Sequence, residues 1–118
     1  MIMDKLAAVL RIYISETDRV GTATLYEEIV REAREKGLAG ATVFRGILSF
    51  GASHSLNYMK IFALSNHLPI IVEMVDHEDK LRKFADEIQK MIHEGGKGVL
   101  MTIQPVEVLE YKAGDKVD

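Results

Sequence analysis

The sequence predicts an α+β sandwich, with two helices packed on one face of an antiparallel sheet, and three observations lead there. Apolar residues recur at every second position in four separate runs, as strands buried on one face require. Two longer runs carry apolar residues at helical spacing, one between the first and second strands and one between the third and fourth. The 118 residues have room for one hydrophobic core, since domains commonly run to about 100–150 residues. A single domain over residues 1–118 is therefore expected.

The first strand covers residues 6–14, with Leu6, Ala8, Leu10, Ile12 and Ile14 on one face and Ala7, Val9, Arg11 and Tyr13 on the other. Residues 15–21 are polar and end in glycine, which reads as a loop. Thr24-Leu25-Tyr26-Glu27 fits a capping box, with Thr22 as the other candidate cap. Leu25, Ile29 and Ala33 then recur at helical spacing up to Gly37, a natural stop. Residues 40–50 read as a second strand in which Thr42, Phe44, Gly46, Leu48 and Phe50 oppose Val43, Arg45, Ile47 and Ser49. Gly46 in mid-strand signals a bulge or a close backbone approach.

Residues 51–66 carry a mixed signal, Gly-Ala-Ser-His-Ser and then a short apolar stretch. Connectors this long are uncommon in compact domains and are often functional. The third strand, residues 69–75, sets Ile70, Val72 and Met74 against Ile71, Glu73 and Val75. Asp76 is expected to cap a second helix, whose apolar stripe is Leu81, Phe84, Ala85, Ile88, Met91 and Ile92. Glu94-Gly95-Gly96-Lys97-Gly98 ends that helix, a fourth strand follows over residues 99–104, and residues 106–111 make a further short one after Pro105. Residues 112–118 form a polar tail. Strand, helix, strand, strand, helix, strand is the ferredoxin-like βαββαβ order. Helices on one face leave the other bare, so association through that face is expected.

Composition removes several function classes. A net charge of −3 and the absence of tryptophan argue against nucleic acid as a partner, which calls for a basic field or a stacking platform. Without cysteine there is neither disulfide nor thiolate chemistry. No apolar run reaches the ~18 residues of a membrane helix, and Met1-Ile2-Met3-Asp4-Lys5 lacks a signal-peptide layout, so the cytoplasm is the expected compartment.

Several stretches are specific enough to name a resemblance. Gly37-Leu38-Ala39-Gly40-Ala41-Thr42-Val43, then Arg45-Gly46 and Phe50-Gly51, resemble the first-helix exit and second strand of PII nitrogen-signalling proteins. Leu68-Pro69-Ile70-Ile71-Val72-Glu73-Met74-Val75-Asp76 resembles their third strand, and Tyr111-Lys112-Ala113-Gly114 their C-terminal strand end. The spacing is more similar still to that of a small bacterial and archaeal family of uncharacterised proteins described as PII-like. The resemblance implies a homotrimer that binds an adenine nucleotide between subunits and grips a transporter, channel or enzyme through the loop after its second strand. On this sequence the ligand contacts would be Gly51, Ala52, Ser53, Gly95, Gly96, Lys97, Gly98 and Lys112. The partner loop would span residues 52–66, with His54, Tyr58, Lys60 and Phe62 facing the partner.

The sequence also departs from that family. Its turn reads Gly-Asp-Gly-Lys where this chain has Gly95-Gly96-Lys97-Gly98, displacing the lysine by one. Ala52 and Ser53 stand where PII proteins carry Arg and Gln, and Glu110 replaces one of two C-terminal arginines, the other being Lys112. A carboxylate beside a triphosphate is unfavourable.

Each motif also has a plainer reading. The glycine turn serves either as a helix-to-strand connection or as an anion loop, and its lysine is outside any Walker spacing. His54, His67, His77 and His93 show no pair at helical metal-binding spacing, so no metal site is expected. Ser53, His54 and Ser55 are sequence neighbours, which rarely reach triad geometry. Glu73 is expected in a cross-strand ion pair with Arg11 or Arg45, and no catalytic residue is assigned. Residues 58–64 fit either a hairpin extension or a segment for a partner groove. The expected function is a regulatory sensor, with a trimeric metal-binding protein of the copper-tolerance type as the alternative.

Overall fold

The computed structural model describes residues 6–50, 57–58 and 68–115. β1 (Ala7–Ser15) takes a central place in the sheet. Ala8, Leu10, Ile12 and Ile14 enter the core, as their alternation requires, while Leu6 lies outside the strand and is 61% exposed. The expected loop after β1 closes on itself instead. β2 (Arg19–Val20) and β3 (Ala23–Thr24) form a two-residue hairpin around Gly21, whose φ of +62° suits a residue without a Cβ. Asp18 Oδ2 accepts the Ser15 amide at 3.1 Å and fixes the exit from β1.

α1 (Leu25–Glu35) begins at the predicted cap. Thr24 Oγ1 accepts the Glu27 amide at 3.4 Å and donates to Glu27 Oε1 at 2.7 Å. Leu25, Ile29 and Ala33 are its buried stripe.

The expected second strand is two. β4 (Thr42–Arg45) pairs with β7 (Pro69–His77), but the chain breaks at Gly46, and β5 (Leu48–Ser49) pairs with β6 (Asn57–Tyr58) in a separate sheet. The reason is close approach: the Gly46 amide donates to the Pro69 carbonyl at 2.9 Å, and a Cβ on Gly46 would stand 2.5 Å from Pro69 Cγ.

α2 (Glu78–Glu94) buries Leu81, Phe84, Ile88 and Ile92. Its N-cap is His77, which makes no side-chain cap bond, so the expected capping role of Asp76 is not realised. Asp76 belongs to β7, is 1% exposed, and its carboxylate accepts the amides of Ala39 at 2.9 Å and His77 at 2.7 Å. A long-range partner outcompetes the local cap.

β8 (Leu100–Val106) runs through Pro105 rather than stopping before it. The sheet order β4-β7-β1-β8 puts β8 at an edge, where a missing N–H is tolerated. The further strand expected over residues 106–111 does not form, since only Val106 belongs to a strand, as the last residue of β8. All three pairings of the main sheet are antiparallel. With both helices on one face, this is the ferredoxin-like sandwich.

Candidate functional site

The face of the sheet away from the helices carries an ordered pattern. The register aligns Phe44 with Ile71, Ile71 with Tyr13, and Tyr13 with Leu100, so an apolar row crosses all four strands. Phe44 and Leu100 are 47% and 57% exposed. The next row holds Thr42, Glu73, Arg11 and Thr102. There the expected ion pair forms between Arg11 Nε and Glu73 Oε2 at 2.9 Å, while Arg45 turns to Glu16, also at 2.9 Å. Arg11 also donates to Gln104 Oε1 at 3.2 Å. Val9, expected to lie open, is buried between Val75 and Gln104. Phe44 and Leu100 were not singled out by sequence reasoning, although period-two alternation from Thr42 and Thr102 finds both.

The glycine turn after α2 has a defined geometry. The Gly96 amide donates to the His93 carbonyl at 3.1 Å and the Lys97 amide to the Ile92 carbonyl at 3.3 Å, with Gly96 at φ +66°. These two bonds define a Schellman cap. The Gly95 amide donates to the Ile92 carbonyl at 3.2 Å. All three amides are therefore committed to helix carbonyls, and Lys97 supplies the turn's one ammonium group. Its stem folds over Gly95, with Nζ occupying the space a Cβ there would need. Lys97 makes no ion pair with a described residue. Gly95, Gly96 and Gly98 are exposed and Lys97 is half-buried.

Gly51, Ala52, Ser53, His54, Lys60 and Phe62 lie outside the described residues; Tyr58 contributes its backbone pairing with Leu48. The base of this segment is clamped. Besides the Gly46 bond to Pro69, the Glu16 amide donates to the Leu68 carbonyl at 2.9 Å, and the Arg45–Glu16 pair sits on the same corner.

Lys112 lies in an open cleft of about 510 Å³ formed by Glu110, Lys112, Ala113, Gly114 and Asp115. Two carboxylates thus accompany one ammonium. Upstream, the Tyr111 hydroxyl donates to the Ala39 carbonyl at 2.6 Å, a tether that sequence reasoning missed because its partner lies 72 residues away.

A second cavity, about 290 Å³, sits where α1 ends against α2, between Lys36, Leu38, Lys80, Lys83, Phe84 and Glu87. Its lysines are largely engaged. Lys36 pairs with Glu87 at 3.1 Å, and that hydrogen bond and charge hold its amine above the ordinary lysine value. Lys80 donates to the Gly37 carbonyl at 2.6 Å, so a cation meets the negative end of α1. Among the described residues no group of three or more His, Asp or Glu side chains converges as metal ligands, and no helix is long and apolar enough to cross a membrane.

Comparison with known proteins adds a family and a fold. Residues 7–108 match the DUF190 family, described as "Uncharacterized ACR". A UPF0166 protein of Aquifex aeolicus is 39% identical over 100 residues, covering 85% of this chain and 90% of the relative. In sequence the relatives are thus UPF0166 proteins of an uncharacterised family, without the PII-like name. In structure the likeness is to PII-like proteins. CPII, a nitrogen regulatory PII-like protein from Thiomonas intermedia K12 solved with ADP, AMP and bicarbonate, superposes with a TM-score of 0.63 at 13% identity, over 87% of this chain and 88% of that one. A divalent ion tolerance protein from Ehrlichia chaffeensis gives a TM-score of 0.54 at 14% identity, over 92% and 87%. The chain shares the fold of these PII-like proteins.

Proposed function

We propose that this chain, which belongs to the DUF190 family, is a cytoplasmic regulatory protein that works as a homotrimer. It senses a small ligand of the adenine-nucleotide class between subunits and acts on a transporter, channel or enzyme through residues 52–66. Gly51, Ala52, Ser53, Gly95, Gly96, Lys97, Gly98 and Lys112 contact the ligand, and His54, Tyr58, Lys60 and Phe62 meet the partner. The ligand shifts the loop because it binds one loop state better than the other.

The observation that carries this reading is the bare sheet face. Phe44, Ile71, Tyr13 and Leu100 form an apolar row with Phe44 and Leu100 about half exposed, and a patch of that kind marks an interaction surface. The nucleotide class is supported by the shared fold with CPII, which was solved with ADP and AMP. Lys97, folded over its turn without an ion-pair partner among the described residues, supports its place among the contacts.

Native mass spectrometry of the purified protein tests the reading. A trimer carrying a small molecule is expected, and a Leu100→Glu variant is expected to run as a monomer of unchanged circular dichroism. A monomeric wild-type protein that gains no mass with ATP, ADP or AMP overturns it. Titration with copper and zinc is the arm for the metal-tolerance alternative.

A further inference from the structure

We infer that the ligand presents a single phosphate or carboxylate, not a di- or triphosphate chain, to the turn at residues 95–98. This rests on the proposal that Lys97 and Lys112 face the ligand, and it fixes the ligand's charge class.

A polyphosphate makes definite demands on its site. Loops that cradle phosphate chains offer several convergent backbone amides, usually at a helix N-terminus whose dipole favours negative charge. The turn here is the opposite in both respects. Its amides at Gly95, Gly96 and Lys97 donate to the carbonyls of Ile92 and His93, so none of the three is available to an anion. It also closes the C-terminal end of α2, a helix of 17 residues, where the aligned peptides amount to roughly half a negative charge.

Side chains reinforce this. Glu94, exposed, occupies the last position of α2 three residues before Lys97. The second basic contact, Lys112, shares its cleft with Glu110 and Asp115. Each ammonium thus stands in surroundings that it neutralises at best, and every further phosphate adds repulsion that neither ammonium offsets. One anionic group, met by Lys97 folded over Gly95, is what the arrangement balances.

Calorimetric titration of the full chain with AMP, ADP and ATP, without divalent cations and at moderate ionic strength, tests the inference. Affinity is expected to fall in that order, with AMP binding at least about tenfold more tightly than ATP. In a Glu94→Gln, Glu110→Gln double variant the gap is expected to narrow to less than about threefold. Should ATP bind as tightly as AMP while Lys97→Ala weakens both, the charge-class inference falls and the site stands. Should Lys97→Ala and Lys112→Ala both leave every titration unchanged, the site falls, and the inference with it.

Discussion

Both helices end in the same hydrogen-bonded turn, yet the residue just beyond each turn differs in kind. After α1 the amides of Gly37 and Leu38 return to the carbonyls of Arg34 and Ala33 at 3.1 and 3.0 Å, with Gly37 at φ +72°. After α2 the same pattern uses Gly96 and Lys97. The position beyond the left-handed glycine usually packs an apolar side chain on the last turn. Leu38 does so, joining the edge of the core, and the residues around it are tied by Asp76, Lys80 and Tyr111. Lys97 holds the equivalent position with a cation instead. A cation there meets the negative end of α2 in place of a packing contact, and on the proposed reading it also faces the ligand. One end is an anchor, and the other, on the proposed reading, presents a charge to the ligand.

The largest effect should come from removing the anchor. Asp76→Ala strips the acceptor from the amides of Ala39 and His77 in a buried place, and a loss of about 2–3 kcal/mol is expected in urea unfolding. A loss within about 0.5 kcal/mol, the range of an ordinary surface change, would mean that the end of α1 holds itself.

Next in size are Gly37→Ala and Gly96→Ala. Each forces a side chain into the left-handed region and should cost about 1 kcal/mol in the same assay. The comparison sharpens in binding, because only Gly96→Ala is expected to weaken AMP. Equal weakening by both variants would erase the distinction between the two ends.

The smallest stability change is expected from Lys97→Leu, which restores an apolar residue at the position that favours one. Its melting temperature should stay within about 2 °C of the parent, a shift of well under 1 kcal/mol, while AMP binding is lost. Retained binding removes Lys97 from the site.

Much of this architecture was legible in the sequence because it rests on local signals. The alternation of β1, the Thr24 cap, the α2 stripe and the stop at Gly37 each depend on neighbours within a few positions, and each stands where the pattern puts it. What escaped depends on distant partners. Asp76 looks like a helix cap until Ala39, 37 residues away, claims its carboxylate. Gly46 signals a close approach, but only Pro69 across the fold turns it into a break between β4 and β5. Pro105 reads as a terminator unless its strand is known to lie at an edge. For the candidate site, the glycine cluster announced a turn. The direction of its amides depends on a geometry that residue types alone leave open.

The clamp at the corner of Gly46, Glu16, Leu68 and Pro69 has a consequence for protein engineering. It pins both ends of the excursion between β4 and β7 to neighbouring points on the sheet, so lengthening the connection between them costs closure entropy. That quantity grows only logarithmically, about 0.6 kcal/mol for each doubling of length. The corner is therefore a natural graft point, where inserts of different length differ little in closure cost.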